Sequence, residues 1–182
     1  MQIRLTVLLL LIPFSLAASQ ASLSTSIDLC SLDSFVSDTA MVRIEAALAV
    51  TPEFSLSIPV SLVAERQRGA VQCWETGLFL QYHPLSYGLF LSLSLMQAAL
   101  LANHPYEEGP QFLFLNEMAV GWQFSVPPSI VIKPCLVIKD PNKVFVQEYE
   151  ELDSLFSRFP MVRFVLLVGW KFPVPSSKKA EQ

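Results

Sequence analysis

Through most of this chain every second position is apolar. The clearest run is 161–172, MVRFVLLVGWKF: Phe164, Leu166, Val168, Trp170 and Phe172 share one parity, while Arg163, Gly169 and Lys171 take the other. Alternate side chains of a strand point to opposite faces. The segment is therefore a strand with one apolar face and one face carrying two cations and a glycine; a helix would spread those cations around its surface. The same period predicts seven more strands, at 22–30, 41–50, 54–64, 71–82, 87–101, 111–126 and 129–139. In 54–64, for example, Phe54, Leu56, Ile58, Val60 and Leu62 alternate with Ser55, Ser57, Pro59 and Ser61. In 111–126, Phe112, Phe114, Met118, Val120, Trp122 and Phe124 oppose Glu117, Ala119, Gly121 and Gln123. In 129–139, Ile130, Ile132, Leu136 and Ile138 oppose Lys133, Cys135 and Lys139.

Most of these segments are near the ~9–11 residues that cross a bilayer when tilted. The connections alternate too. Those after the second, fourth and sixth segments are short and proline-rich, as at 51–53, 84–86 and 127–128, whereas the others are mostly longer and more polar. An up-and-down membrane barrel has short turns at its periplasmic end and longer loops outside. The predicted fold is an all-β, eight-stranded antiparallel transmembrane barrel over 22–172. Residues 1–18 read as a secretory signal: Arg4, then the apolar stretch 5–16, then small residues that put cleavage between 17 and 21. Residues 173–182, PVPSSKKAEQ, are a polar tail.

Composition decides which face meets what. The 182 residues are 52% hydrophobic and 15% charged, with a mean hydropathy of +0.46. Beyond the signal no stretch has the ~18 uninterrupted apolar residues of a membrane helix, so a membrane role falls to strands. A water-facing exterior would be dense in Lys, Glu and Thr, yet the polar parity is mostly Ser, Gly, Ala and Gln with scattered charges. Such residues suit the crowded lumen of a small barrel. The charges assigned inside are Asp28, Glu45, Glu75 and Glu117 against Arg43, Lys133, Arg163 and Lys171, with Arg163 and Lys171 facing Asp28 and Glu45. The apolar parity carries no formal charge, as lipid requires. Aromatics fall into two groups along the barrel axis. Phe54, Tyr82, Tyr87, Trp122, Phe124, Trp170 and Phe172 lie toward the short-turn rim, and Trp74, Phe112, Phe114 and Phe164 lie in the other half. Two aromatic girdles mark the two membrane interfaces.

On strand count, loop asymmetry, girdles and the terminal VLLVGWKF, the region 22–172 resembles the small eight-stranded outer-membrane proteins, those of the OmpA/OmpX type and the OmpW family. The resemblance implies residence in the outer membrane of a diderm bacterium, with outer-membrane lipid and the barrel-assembly machinery as partners. It also implies a non-enzymatic role: passive passage of small apolar molecules, or surface contact with an extracellular ligand through external loops. Members typically end on a Phe read by that machinery; Phe172 matches within the strand, but ten residues follow it.

Candidate chemistry is sparse. The formal charge of −4 supplies no basic face for nucleic acid, and neither a cofactor motif nor metal-ligand spacing is present. Cys30, Cys73 and Cys135 form no CxxC pair, and Cys30 and Cys73, placed on the lumen face near the external rim, sit on nearly opposite strands, so no disulfide is expected. His83 reads as a turn residue before Pro84. His104, near Glu107 and Glu108, is the one candidate base for a lipid-modifying enzyme, with Ser34 or Ser37 as distant nucleophiles. The acidic run Glu148, Glu150, Glu151 and Asp153 reads as a solvated face. Its apolar neighbours Phe145, Tyr149, Leu152, Leu155 and Phe156 suggest a contact surface or a short helix folded over the barrel mouth. A secreted lipocalin-like barrel, apolar inside around a ligand, remains the alternative from another class.

Overall fold

The computed structural model describes residues 22–31, 39–65, 71–84, 88–102, 109–156 and 159–173. The predicted signal, Tyr87, His104 with Glu107 and Glu108, Ser34, Ser37 and the tail beyond 173 lie outside the described residues.

The strands are β1 (Ser22–Asp28), β2 (Thr39–Ala49), β3 (Phe54–Glu65), β4 (Gln72–Tyr82), β5 (Leu89–Ala102), β6 (Gln111–Leu115), β7 (Glu117–Trp122), β8 (Phe124–Val126), β9 (Ile130–Lys139) and β10 (Val162–Pro173), and a helix among the described residues, α1 (Val146–Leu155), precedes the last. All pairing is antiparallel: β1 to β5 pair in succession, β6 and β7 both pair with β5, β7 and β8 both pair with β9, and β10 pairs with both β9 and β1. Closure is carried by the register Leu23↔Phe172 through Asp28↔Leu167. The result is a closed barrel of eight staves, because β6, β7 and β8 are successive pieces of one.

That sixth stave differs from the unbroken strand predicted over 111–126. It is interrupted at Asn116 and Gln123 because those backbones bond elsewhere. The Asn116 carbonyl accepts from Asp140 N (3.0 Å) and from the Tyr149 hydroxyl (2.6 Å), and Gln123 N donates to Gly88 O (2.7 Å). As a consequence β6 pairs only with β5 among the described strands, and extends beyond the last β7–β9 pair. The first strand also stops earlier than the predicted 22–30. Asp28 Oδ1 accepts from Cys30 N (3.0 Å) and turns the chain out of the sheet, so Cys30 lies exposed rather than on the lumen face.

Strand pairs approach most closely where glycine occupies a lumen position. A Cβ at Gly169 would overlap the Thr25 carbonyl oxygen and the Ser26 Cα, so the seam between β10 and β1 requires glycine there. Inside the barrel two apolar clusters are separated along the axis. Phe90, Cys135, Val137, Val165 and Leu167 fill one side at mid-height. At the long-loop end, Val63, Cys73, Leu101 and Leu115 pack against Tyr149, Leu152, Leu155 and Phe156 from α1 and its exit.

Candidate functional site: the lumen and its two mouths

The strand period sorts the side chains by face. The large apolar residues of alternate positions point outward and are exposed: Ile44, Ile58, Leu93, Leu95, Leu136 and Phe164 among them. Every predicted girdle aromatic among the described residues is on this outer surface, from 36% exposure at Trp122 to 73% at Phe112. Toward the short-turn rim Phe54 stacks on Tyr82 (centroids 5.0 Å) and Trp122 leans on Phe124 (6.5 Å). The charges lie on the opposite side of the same strands, buried. A soluble barrel has the reverse polarity.

Four ion pairs among the described residues cross the lumen. Arg43 Nη1 meets Glu117 Oε2 at 3.1 Å, Lys133 Nζ meets Glu45 Oε1 at 3.1 Å, Arg163 Nη2 meets Asp28 Oδ2 at 2.6 Å, and Lys139 Nζ lies 3.8 Å from Glu75 Oε1. The fourth cation is thus Lys139, not Lys171. Both belong to the inward parity, but height along the axis separates them. Lys139 pairs in register with Glu117 at the upper end of β9, whereas Lys171 pairs with Ser24 near the opposite rim and is exposed. Lys139 is also seated 3.2 Å over the Phe159 ring, a cation–π contact that substitutes for part of the lost hydration. Nor does Lys171 face Glu45, whose partners are Lys133 and Gln81 Nε2 (3.2 Å).

Gln81, absent from the predicted charge set, knits the lower lumen. Its amide nitrogen also donates to Ser57 Oγ (3.0 Å), and its oxygen accepts from Ser55 Oγ (3.3 Å) and Lys133 Nζ (3.4 Å). Above it a void of about 20 Å³ lies beside Arg43, Glu45 and Glu117, room for about one water. Arg43 Nε and Glu117 Oε1 have no protein partner there, which suits a bridging water.

The two mouths differ. At the long-loop end α1 closes the barrel. Asp140, at positive φ, accepts from Val144 N (2.9 Å) and Phe145 N (3.2 Å) and braces the turn that leads into the helix. The Tyr149 hydroxyl pins it to Asn116; burial raises that phenol's pKa far above its ordinary value, with Glu117 and Glu75 adding to the shift, so it donates as a neutral group. Glu150 and Asp153 stay outside. At the short-turn end the lumen opens into a bowl of about 730 Å³ whose lining includes His83, Lys133 and Lys171. His83 shares a hydrogen bond between Nε2 and Ser55 Oγ (3.3 Å). Burial lowers its pKa below 6.5, and Lys133 and Lys171 push it further the same way. Among the described residues no three His, Cys, Asp or Glu side chains are grouped to hold a metal, and the three cysteines are free thiols.

No family model matches this sequence, and no curated protein matches it either. Solved structures do. The N-terminal β-barrel domain of Pseudomonas aeruginosa OprF superimposes with a TM-score of 0.55 at 12% identity, covering 85% of this chain and 98% of that domain. Neisserial surface protein A (NspA) gives 0.45 at 13% identity, covering 85% of this chain and 95% of its own. The chain has the fold of the small eight-stranded outer-membrane barrels.

Proposed function

We propose that this chain is a non-enzymatic outer-membrane barrel closed to solutes, acting through the surface it presents at its long-loop end. The observation that carries this reading is the sealed lumen. Four buried ion pairs among the described residues span it, a void beside Arg43, Glu45 and Glu117 holds only about 20 Å³, and α1 packs into the upper mouth. A small hydrated ion needs a continuous wet path, and charges this well paired leave none. The apolar exterior, uncharged between its two aromatic zones, supports placement in a bilayer. Rooted there, the barrel would hold the acidic outer side of α1, with Glu150 and Asp153 exposed, where another surface can reach it.

The OmpW resemblance implies lateral passage of small apolar molecules. That route needs a gap between staves; the ring is continuous at the level of β7, and above it Leu113 and Leu115 of β6 pack in one cluster with α1, so surface contact is the better supported reading. The protein in planar bilayers is expected to show no steady conductance of porin size. A large open-channel current in the unmodified protein would sink the proposal.

A further inference from the structure

We propose that the bowl at the short-turn mouth is a binding site for a small phosphate-bearing anion, held by Lys171 and His83 above a Lys133–Glu45 floor. The cavity, about 730 Å³, falls within the ~300–1,000 Å³ of ordinary ligand sites. Its lining contains two lysines, a histidine and the hydroxyl residues Ser24, Ser55 and Ser125, and among the described residues it contains no carboxylate. That is an unusual lining in a chain of net charge −4. Glu45 meets Lys133 at the floor, and the Glu53 backbone carbonyl accepts from His83 N (2.7 Å).

The cations are not spent on one another's partners. The Lys171 side chain has no hydrogen bond or ion pair among the described residues, in contrast to the four cations of the lumen. Lys133 directs two hydrogen bonds, to Glu45 and Gln81, so one of the three donors of its ammonium is unassigned. His83 feels the same charge: after burial, the nearby positive charge of both lysines lowers its pKa further. An anion seated between them would relieve that repulsion. Phosphate fits better than a carboxylate because several oxygens can be shared among ammonium, imidazole and hydroxyl donors converging from different strands. The same group is offered by free phosphate and by a phospholipid headgroup at the rim. The inference rests on the bowl alone and stands whether or not the barrel conducts.

The test uses the full chain folded in a maltoside detergent, which contributes no phosphate. The His83 ring resonances, assigned with His83→Gln, are followed while inorganic phosphate, a short-chain phosphatidic acid or a neutral phosphate-free glycolipid is added. A saturable shift with phosphate or with the phosphatidic acid supports the site. Saturation by inorganic phosphate identifies the free ion as sufficient; saturation by the lipid alone identifies the headgroup. Lys171→Gln should weaken binding about tenfold, the scale of one charge-assisted contact. Lys171→Arg should retain it, and Lys143→Gln, at the other end of the barrel, should leave it unchanged. Lys171 is exposed, and unheated gel mobility reports that each variant is folded. A shift that grows linearly without saturating, one equal for the glycolipid, or one undiminished in Lys171→Gln overturns the proposal.

Discussion

At the scale of single residues, the lumen is governed by the cost of burying charge. Breaking a buried pair from one side leaves its partner uncompensated, at about 3–5 kcal/mol, while replacing both members by apolar groups can be nearly neutral. Glu117→Gln should therefore destabilise the barrel by about 3–5 kcal/mol, through Arg43, and Arg43→Met with Glu117→Met should recover most of that loss in urea-unfolding midpoints. His83 makes a pH prediction. Its folded pKa lies below 6.5 because of burial and then of Lys133 and Lys171. The unfolded chain then binds the proton first as pH falls. Its contribution to stability is full above pH 6.5, declines from there to the folded pKa, and is constant below it. Proton-detected titration should place the His83 pKa below 6.5, and His83→Gln should flatten that segment of the stability curve. The face of the lumen charges was legible in the sequence, because a strand's period is two; His83, read as a turn residue, was not among them. Their height was not. Lys139 and Lys171 have the same parity, and only the strand register shows that one meets Glu75 and Phe159 while the other reaches the open rim.

At the scale of elements, the strands were readable because each alternates against its own turns, and the broken sixth stave was not. Asn116 and Gln123 interrupt β6–β8 through bonds to Asp140, Tyr149 and Gly88, residues distant in sequence. The helix was partly visible. Tyr149, Leu152, Leu155 and Phe156 recur at helical spacing amid acids that alternation cannot explain, and they are the side chains that enter the mouth. Its docking predicts a separable unit. Leu152, fully buried in the upper cluster, should tolerate no charge: Leu152→Asp should release α1 at a cost above the ~2–5 kcal/mol of truncation to alanine. Limited proteolysis should then cut within 141–160, while unheated gel mobility still reports an intact barrel. Unchanged protease resistance would mean that α1 is held by contacts other than these.

At the scale of the whole molecule, the polarity of the barrel decides its solvent. Charged and hydroxylic side chains are sealed within, large apolar ones cover the outside, and aromatics gather toward both rims. Water does not favour such a surface, since exposed apolar area costs about 25 cal/mol per Å²; lipid does. The OprF barrel domain shares the fold at 12% identity, as expected when alternation, rather than particular residues, specifies the architecture. The most direct test is lipid contact. The chain's three tryptophans, Trp74, Trp122 and Trp170, are all on the outer surface. In vesicles of lipids brominated along the acyl chain, each single-tryptophan variant should be quenched, and the quenching should be greatest with bromines near the interfaces. Tryptophans unaffected by bromine at any depth, in a folded protein that stays in solution beside the vesicles, would contradict the account.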